Sequence, residues 1–520
     1  MHRIIIIALV LPAIALAQSP GEIVGWTQHD IQEFWSGTNR IVIALDRGTY
    51  VCWMKSPYYP GSRYVYFNYR DPGGEWWGEM QVSPDNFSGF GCIDIAADDC
   101  AYIFYSVAGQ ELIHEASACY PNDDFILPDT SSLWPKAAIS AGGRLHVISG
   151  RMVQSGDQVI MYNTSTDYGQ TWQPWMEVDS LETYVWILNS SMISERTALV
   201  EGIPVTGAEW QFDIGYIISE DGMEWDFGDW QMITDYDGTA VSAYADADLV
   251  FDNHDYLHVV WNTLEIEEPF PNSSTLWHWS EETGEISQIA YFDDVTCEPG
   301  VWNVALCNMS LGVDADDNLF CVWTGFDSDD SSAGGFCNGD LYMSYSTDGG
   351  LTWNGHENIT DSQTPDCLPG DCNSDHWATL AETVDENLHV FYVNDKDAGA
   401  FPAFEGAVTD NPVRYLEVPN PAGTAIDEPQ SLPKDISLFT SYPNPFNART
   451  TIRFSLSEQS AIKLEIFDIA GRLVQVLADG EYPAGENSVV WDAGKRPSGV
   501  YFARLTEAAG SAAMKLVLMK

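Results

Sequence analysis

Arginines, carboxylates and histidines set the chemistry that this 520-residue chain could perform. Arg40 stands in Asn39-Arg40-Ile41-Val42, at the head of a strand-like run. A guanidinium can clamp a carboxylate through two parallel hydrogen bonds, which is what an arginine would bring to an anionic substrate. Arg47, Arg63, Arg70, Arg144, Arg151, Arg196 and Arg414 complete the arginines of residues 18–418, and no motif groups them. Glycoside hydrolysis would need two carboxyls about 5–10 Å apart. With 77 acidic residues some pair will satisfy that spacing, so the sequence singles out none. Asp246, Asp248, Asp314, Asp316 and Asp317 have the crowding of a calcium loop but lack its complete Asp-x-Asp-x-Asp-Gly and distal Glu. Calcium therefore stays open, and no other cofactor or metal is expected.

His146, His258 and His389 each sit in a Leu-His-Val strand, a regularity of packing more than of catalysis. No Gly-rich phosphate loop, Gly-x-Ser-x-Gly elbow or His-Glu-x-x-His pair is present. The ten cysteines show no zinc spacing with histidines. Cys367 and Cys372 flank Leu-Pro-Gly-Asp and suit a small loop clasp, whereas Cys52 and Cys321 fall inside strand-like runs as plain buried thiols.

The elements that must position these groups announce themselves through a repeated turn. Ser346-Thr347-Asp348-Gly349-Gly350-Leu351-Thr352-Trp353 combines positive-φ glycines with side chains that can bond the backbone, and its Trp starts a new strand. Ser165, Asp167, Gly169 and Trp172 repeat the spacing; Ser219, Asp221 and Trp225 form a copy one residue shorter. Asp71, Gly73 and Trp76 form a copy without the Ser, and residues 280–284 one without the Trp. In step with these turns run seven apolar hairpins: 41–53, 92–105, 137–148, 192–200, 249–261, 311–323 and 380–393. Four antiparallel strands per repeat, set around an axis, make a propeller blade. Alternation of strands places the inner turns and the Asp-Gly turns on one face. The other face carries the long loops 54–61, 263–274, 293–302, 325–339 and 359–376, where binding is expected. Most tryptophans belong to turns or strand ends; Trp302 and Trp377, near the long loops, are the candidate binding aromatics.

These turns resemble the Asp boxes, or BNR repeats, of sialidase-like propellers and other secreted propellers. The resemblance implies an all-β fold, a six- or seven-bladed β-propeller over residues 18–418. A sialidase would add three arginines, a Tyr–Glu nucleophile pair and an Asp acid/base; Asn39-Arg40-Ile41-Val42 resembles the Arg-Ile-Pro start of such enzymes without its Pro, and that resemblance makes Arg40 the candidate catalytic residue. A domain this acidic is a poor lure for an anionic sugar.

The formal charge of −55 argues against nucleic acid and anionic lipid as partners. It is uneven: from Leu438 onward 9 basic residues face 8 acidic ones, so the acidity belongs to the part before. Residues 1–17 have the short polar start, apolar run and Ala-Leu-Ala end of a secretory signal peptide, and no later stretch suits a membrane helix. Residues 419–437 read as a Pro- and Ala-rich linker, and 438–520 as a small immunoglobulin-like β-sandwich. Within it Tyr442-Pro443-Asn444-Pro445-Phe446, Asp468 and Gly471 in Phe467–Arg472, Trp491-Asp492, and Gly499 and Tyr501 in Ser498–Tyr501 closely resemble the C-terminal sorting domain of the type IX secretion system. That resemblance implies secretion and sorting machinery as partners, and a secreted or outer-surface location. The expected role is a surface-attached binding module for a glycan or protein ligand. An exo-glycosidase of sialidase type and a structural adhesion component are the alternatives.

Overall fold

The computed structural model describes residues 18–32, 37–44, 48–58, 61–83, 87–96, 100–107, 112–117, 124–126, 132–152, 158–179, 185–207, 211–266, 273–293, 295–423, 439–442, 446, 448–456, 460–468, 472–483, 485–494, 496–507 and 510–518. The signal-peptide stretch 1–17 lies outside them, as does most of the linker. The chain forms two compact units that divide between Gly423 and Thr424.

Seven antiparallel sheets make up the first unit among the described residues. Blade 1 runs from inner to outer strand as Ile41–Ile43, Thr49–Lys55, Tyr64–Arg70 and Met80–Gln81. Blade 2 has inner strand Ser88–Ile95, blade 3 Ser132–Ile139, blade 4 Trp186–Ser190, blade 5 Val241–Phe251 and blade 6 Leu306–Asp314. Blade 7 takes Ser374–Leu380, Asn387–Asp395 and Asn411–Pro419 from one end of the unit and its outer strand, Glu22–Thr27, from the other. Trp26 pairs with Pro412 and Thr27 with Asn411, which closes the ring.

Each sheet is packed on both faces, so the inner strands are buried on both sides without alternation, as in Leu306–Asp314 and Ser374–Leu380. In blade 5, Leu249 packs toward blade 4 and Val250 toward blade 6. Seven apolar clusters fill the seven gaps between neighbouring blades, from Val42, Cys52, Ile93 and Tyr105 between blades 1 and 2 to Trp53, Phe391 and Tyr415 between blades 7 and 1. The structure is a seven-bladed β-propeller. The same two-sided burial explains one misplaced strand. The expected blade 4 run at 192–195 is the turn, and the inner strand is the wholly buried Trp186–Ser190 just before it.

The repeated turns join third to outer strands and staple each blade to the one before. Ser346 Oγ donates to Asp348 Oδ1 at 2.8 Å and accepts from Gly350 N at 2.9 Å, while Asp348 takes Thr352 N at 2.9 Å and the Thr352 hydroxyl at 2.6 Å. Residues 165–171 repeat all four bonds within about 0.1 Å. Asp71 caps Gly73 N and Glu75 N, and Asp221 caps Met223 N and Glu224 N. The tryptophans reach across the gap. Trp353 Nε1 donates to Ser287 Oγ in blade 5, and Trp225 lies 5.0 Å from Tyr162 in blade 3. Trp172 meets Phe104 in blade 2 edge-on, and Trp76 meets Tyr415 in blade 7.

The second unit packs a three-stranded sheet, Phe439–Tyr442, Arg449–Leu456 and Gly485–Asp492, with a four-stranded one, Leu473–Tyr482, Ser460–Asp468, Gly499–Glu507 and Gly510–Leu518. Trp491 is fully buried, with Phe446 and Tyr501 each 5.2 Å from its ring. Tyr501 donates to Pro497 O, and Gly499 opens its strand. Pro443, Asn444, Pro445 and Gly471 lie outside the described residues, and Tyr442 and Asp468 are described as strand backbone.

Candidate functional site

The face opposite the repeated turns is built from loops of blades 5, 6, 7 and 1, and covalent and backbone bonds knit them together. Cys297 in the 293–305 loop is joined to Cys337 of blade 6. Cys367 and Cys372 close the clasp read from the sequence, and the clasp bonds its neighbours through Ala333 N to Cys367 O and Gly370 N to Lys396 O. The 396–410 loop is fixed in turn. Asp30 accepts from Phe401 N at 2.8 Å, and Glu405 Oε2 accepts from Val301 N at 2.9 Å and Ala400 N at 3.1 Å.

Two aromatic rings stand out of this platform. Trp302 is 39% exposed with φ 63°, and Phe404 is 95% exposed with φ 69°. Bulky side chains rarely adopt positive φ, and such positions cluster where function fixes them. Their preceding residues, Val301 and Ala403, pack on one buried cluster that contains Trp377 and Ala400. Trp302 is therefore on the surface where the sequence placed it, and Phe404 joins it. Sequence reasoning missed Phe404. The signal was a Phe between Gly399 and Gly406, in a stretch where glycines carry the other positive φ values.

Trp377 requires a correction. It is 8% exposed and turned into the core at a bulge of the inner strand of blade 7, with φ 62°, and offers no free ring face. Arg40 is 1% exposed, and its Nη1 donates to Trp377 O at 3.2 Å and lies 3.5 Å from Thr379 Oγ1. It ties blade 1 to blade 7 and is closed to substrate. Arg70 pairs with Glu22 and Glu417, Arg144 with Glu195, Arg151 with Glu177, and Arg196 with Glu220 and Glu281. Arg414 donates to Pro20 O and Gly21 O.

Two acids on this face, Asp30 and Asp395, line a recess of about 10 Å³ with His376 and Asn303, room for about one water. Burial pushes Asp30 up to about 7, and burial, with the Asp30 charge, holds Asp395 well above the usual carboxylate range. Their oxygens accept from backbone N–H groups of Ile31, Phe401 and Asp397, so they hold loops and leave no space for a sugar.

The suspected calcium residues disperse. Asp246 accepts from Asn308 N and Asp248 from Leu311 N, each clasping blade 5 to blade 6. Asp314 caps Asp316 N and Asn318 N in its own turn. Asp317 meets His254 Nδ1 at 2.8 Å, and Asp252, His254 and Asp317 offer ligand atoms within 4.8 Å of one another, a set able to hold a cation. The repeated histidines are satisfied core groups: His146 bonds the Tyr162 hydroxyl, His258 bonds His278 and His389 bonds the Tyr415 hydroxyl. Burial drives His146 down to about 3. Cys52 and Cys321 are free buried thiols.

No curated protein sequence matches the chain. Among solved structures, polysaccharide lyase Uly1 aligns over 74% of this chain and 90% of its own, with 11% identity and a TM-score of 0.47. The β-propeller domain of the Trilobed protease from Pyrococcus furiosus aligns over 74% and 98%, with 9% identity and a TM-score of 0.39. PorZ, a surface component of the type IX secretion system of Porphyromonas gingivalis, aligns over 93% of this chain and 60% of its own, with 12% identity and a TM-score of 0.39. Such similarities carry no functional argument. No helix among the described residues is long and apolar enough to cross a membrane. Residues 440–519 match the secretion system C-terminal sorting domain. The chain thus carries a type IX sorting domain behind its propeller and is a secreted or cell-surface protein that engages that machinery.

Proposed function

We propose that this protein is a surface-displayed binding propeller that takes a glycan on its long-loop face. The observation that supports this reading is the pair Trp302 and Phe404, held out at positive φ from one loop fastened by the Cys297–Cys337 bridge and another fixed by the Asp30 and Glu405 hydrogen bonds. Exposed rings stack on the apolar faces of sugars, and a platform fixed in advance loses little entropy on binding. Exposed Asp293, Glu298, Asp361, Asp366 and Asp371 on the same face favour a neutral or cationic glycan over an anionic one. The repeated turns are, in this reading, Asp boxes whose work is blade adhesion, apart from the ligand. A sialidase reading has little support, because Arg40, Arg70, Arg144 and Arg196 are each held by different partners.

The test is a glycan array probed with the intact protein and with Trp302→Ala and Phe404→Ala. Binding to a neutral glycan that falls about two- to twelvefold in each variant supports the reading, given stacking of about 0.5–1.5 kcal/mol per ring. An empty array, or binding indifferent to both substitutions, refutes it. Turnover of a fluorogenic sialoside would replace it with an enzyme.

A further inference from the structure

A second site lies on the axis, at the face that carries the repeated turns. The inner strands of blades 1 to 4 end there around a cavity of about 220 Å³. Its walls include Ile43, Ile95, Ile139 and Met192. The remaining side is a strap from blade 7. After Leu380 the chain leaves its own blade, pairs Thr383 and Val384 with Val313 and Asp314 of blade 6, and brings the Thr383 hydroxyl to Met192 Sδ of blade 4 at 3.4 Å.

That strap lays Glu382 across the axis. Its Oε1 accepts from Asn39 Nδ2, beside blade 1, and from Asn189 Nδ2 of blade 4, at 2.9 Å for the latter. Its Oε2 has no hydrogen-bond partner among the described residues, and Glu382 lines the cavity. The neighbouring carboxyls are satisfied. Asp94 of blade 2 takes Ile95 N and Ile139 N, and Asp248 of blade 5 takes Leu249 N and Leu311 N. Two amides thus orient one carboxyl so that its spare oxygen is offered to a chamber whose walls are mainly apolar, with Asp94, Ser140, Ser190 and Thr383 as the other polar lining residues. The charge of −55 adds a long-range pull on cations.

We propose that this axial cavity binds a small organic cation with an apolar body, an alkylammonium, whose charged end meets Glu382 Oε2 and whose body lies against Ile43, Ile95, Ile139 and Met192. The titratable groups around it are Glu382, Asp94, Asp248, Glu195 of the blade 4 turn, Lys136 of blade 3 and Arg40 of blade 1. Lys136 is turned away, toward Gly37 O and Thr38 Oγ1. Burial and the Asp94 charge push Glu382 up to about 8, and burial pushes Asp94 up to about 7. An ammonium bound near pH 7 therefore displaces a proton from the pair.

The experiment is calorimetry of the full-length protein with n-hexylammonium, against hexanol and hexanoate as neutral and anionic shapes, in phosphate and in Tris. The expected result is saturable binding of hexylammonium alone, with heats that differ between buffers because a proton is released. Glu382→Gln keeps the shape and both amide bonds and should weaken binding at least tenfold. Met192→Trp, at the exposed mouth, should block entry without touching the carboxyls. Failure to bind hexylammonium, equal binding of hexanol, or full affinity in Glu382→Gln or in a folded Met192→Trp would overturn the proposal.

Discussion

Gly350 and Gly349 are adjacent, both have positive φ, and they should respond to alanine very differently. Gly350 has φ 83°, and a Cβ there would overlap the buried His278 ring of blade 5. His278 cannot step aside freely, because its Nε2 bonds His258 and its ring lies edge-on to Trp353 at 5.3 Å. Gly349 has φ 70°, and its nearest neighbour for a Cβ is Glu282 Oε2 at 3.9 Å. Left-handed strain costs each alanine about 1–2 kcal/mol. Overpacking adds about 1–3 kcal/mol at Gly350 alone. At about 2.1 cal/mol/K per residue, a ring of roughly 400 residues loses about 1.2 °C of Tm per kcal/mol. Gly349→Ala should therefore lower Tm by about 1–2 °C and Gly350→Ala by about 2–6 °C, read by calorimetry on the isolated propeller and on the full chain. Equal shifts in the two variants would refute the idea that the turn docks on the preceding blade.

Further outcomes follow from the same bonds. Burial holds Glu382 and Asp248 protonated to about 8 and about 7, above their unfolded values, so their contribution to stability is full below about pH 4 and is lost as pH rises toward 8. Stability measured between pH 5 and 8 should fall with pH, and Glu382→Gln should flatten the slope. The Asp167 carboxyl runs the other way: the Thr171 hydroxyl and backbone N–H hold it below the ordinary range, so its stabilisation is lost only as pH falls below about 4. Thr171→Val should remove part of that acid-side loss in a chemical denaturation series. Replacing Cys297 and Cys337 by Ser opens a bridge spanning 40 residues and should cost about 4 kcal/mol, with the glycan binding proposed for that face weakened before the ring melts. Trp491→Ala removes the ring at the centre of the sorting domain, a loss of about 3–5 kcal/mol, and should leave the protein inside the cell when extracellular fractions are blotted.

The turns were legible because their chemistry is local: Ser, Asp, Gly and Trp lie within eight residues, and each bond they make in the turn spans four or fewer. The hairpins were legible for the same reason, except in blade 4. There Trp186–Ser190 is buried on both faces and shows no alternation to read. Site residues were harder. Trp377 occupies the stretch where a surface aromatic was expected, yet a bulge with positive φ turns it inward. Glu382 carries no sequence signal at all. Its partners Asn39 and Asn189 stand 343 and 193 residues away, and only ring closure brings them to one point.

Ring closure also decides how the propeller would bear a mechanical load. A chain held by its C-terminal end transmits tension first into Asn411–Pro419. That strand is not at an edge: it is laddered to Asn387–Asp395 on one side and to Glu22–Thr27 on the other. Tension along it would shear two ladders together instead of unzipping one bond at a time. Had the chain closed its last blade with its own C-terminal strand on the outside, the same pull would peel the ring open from its rim.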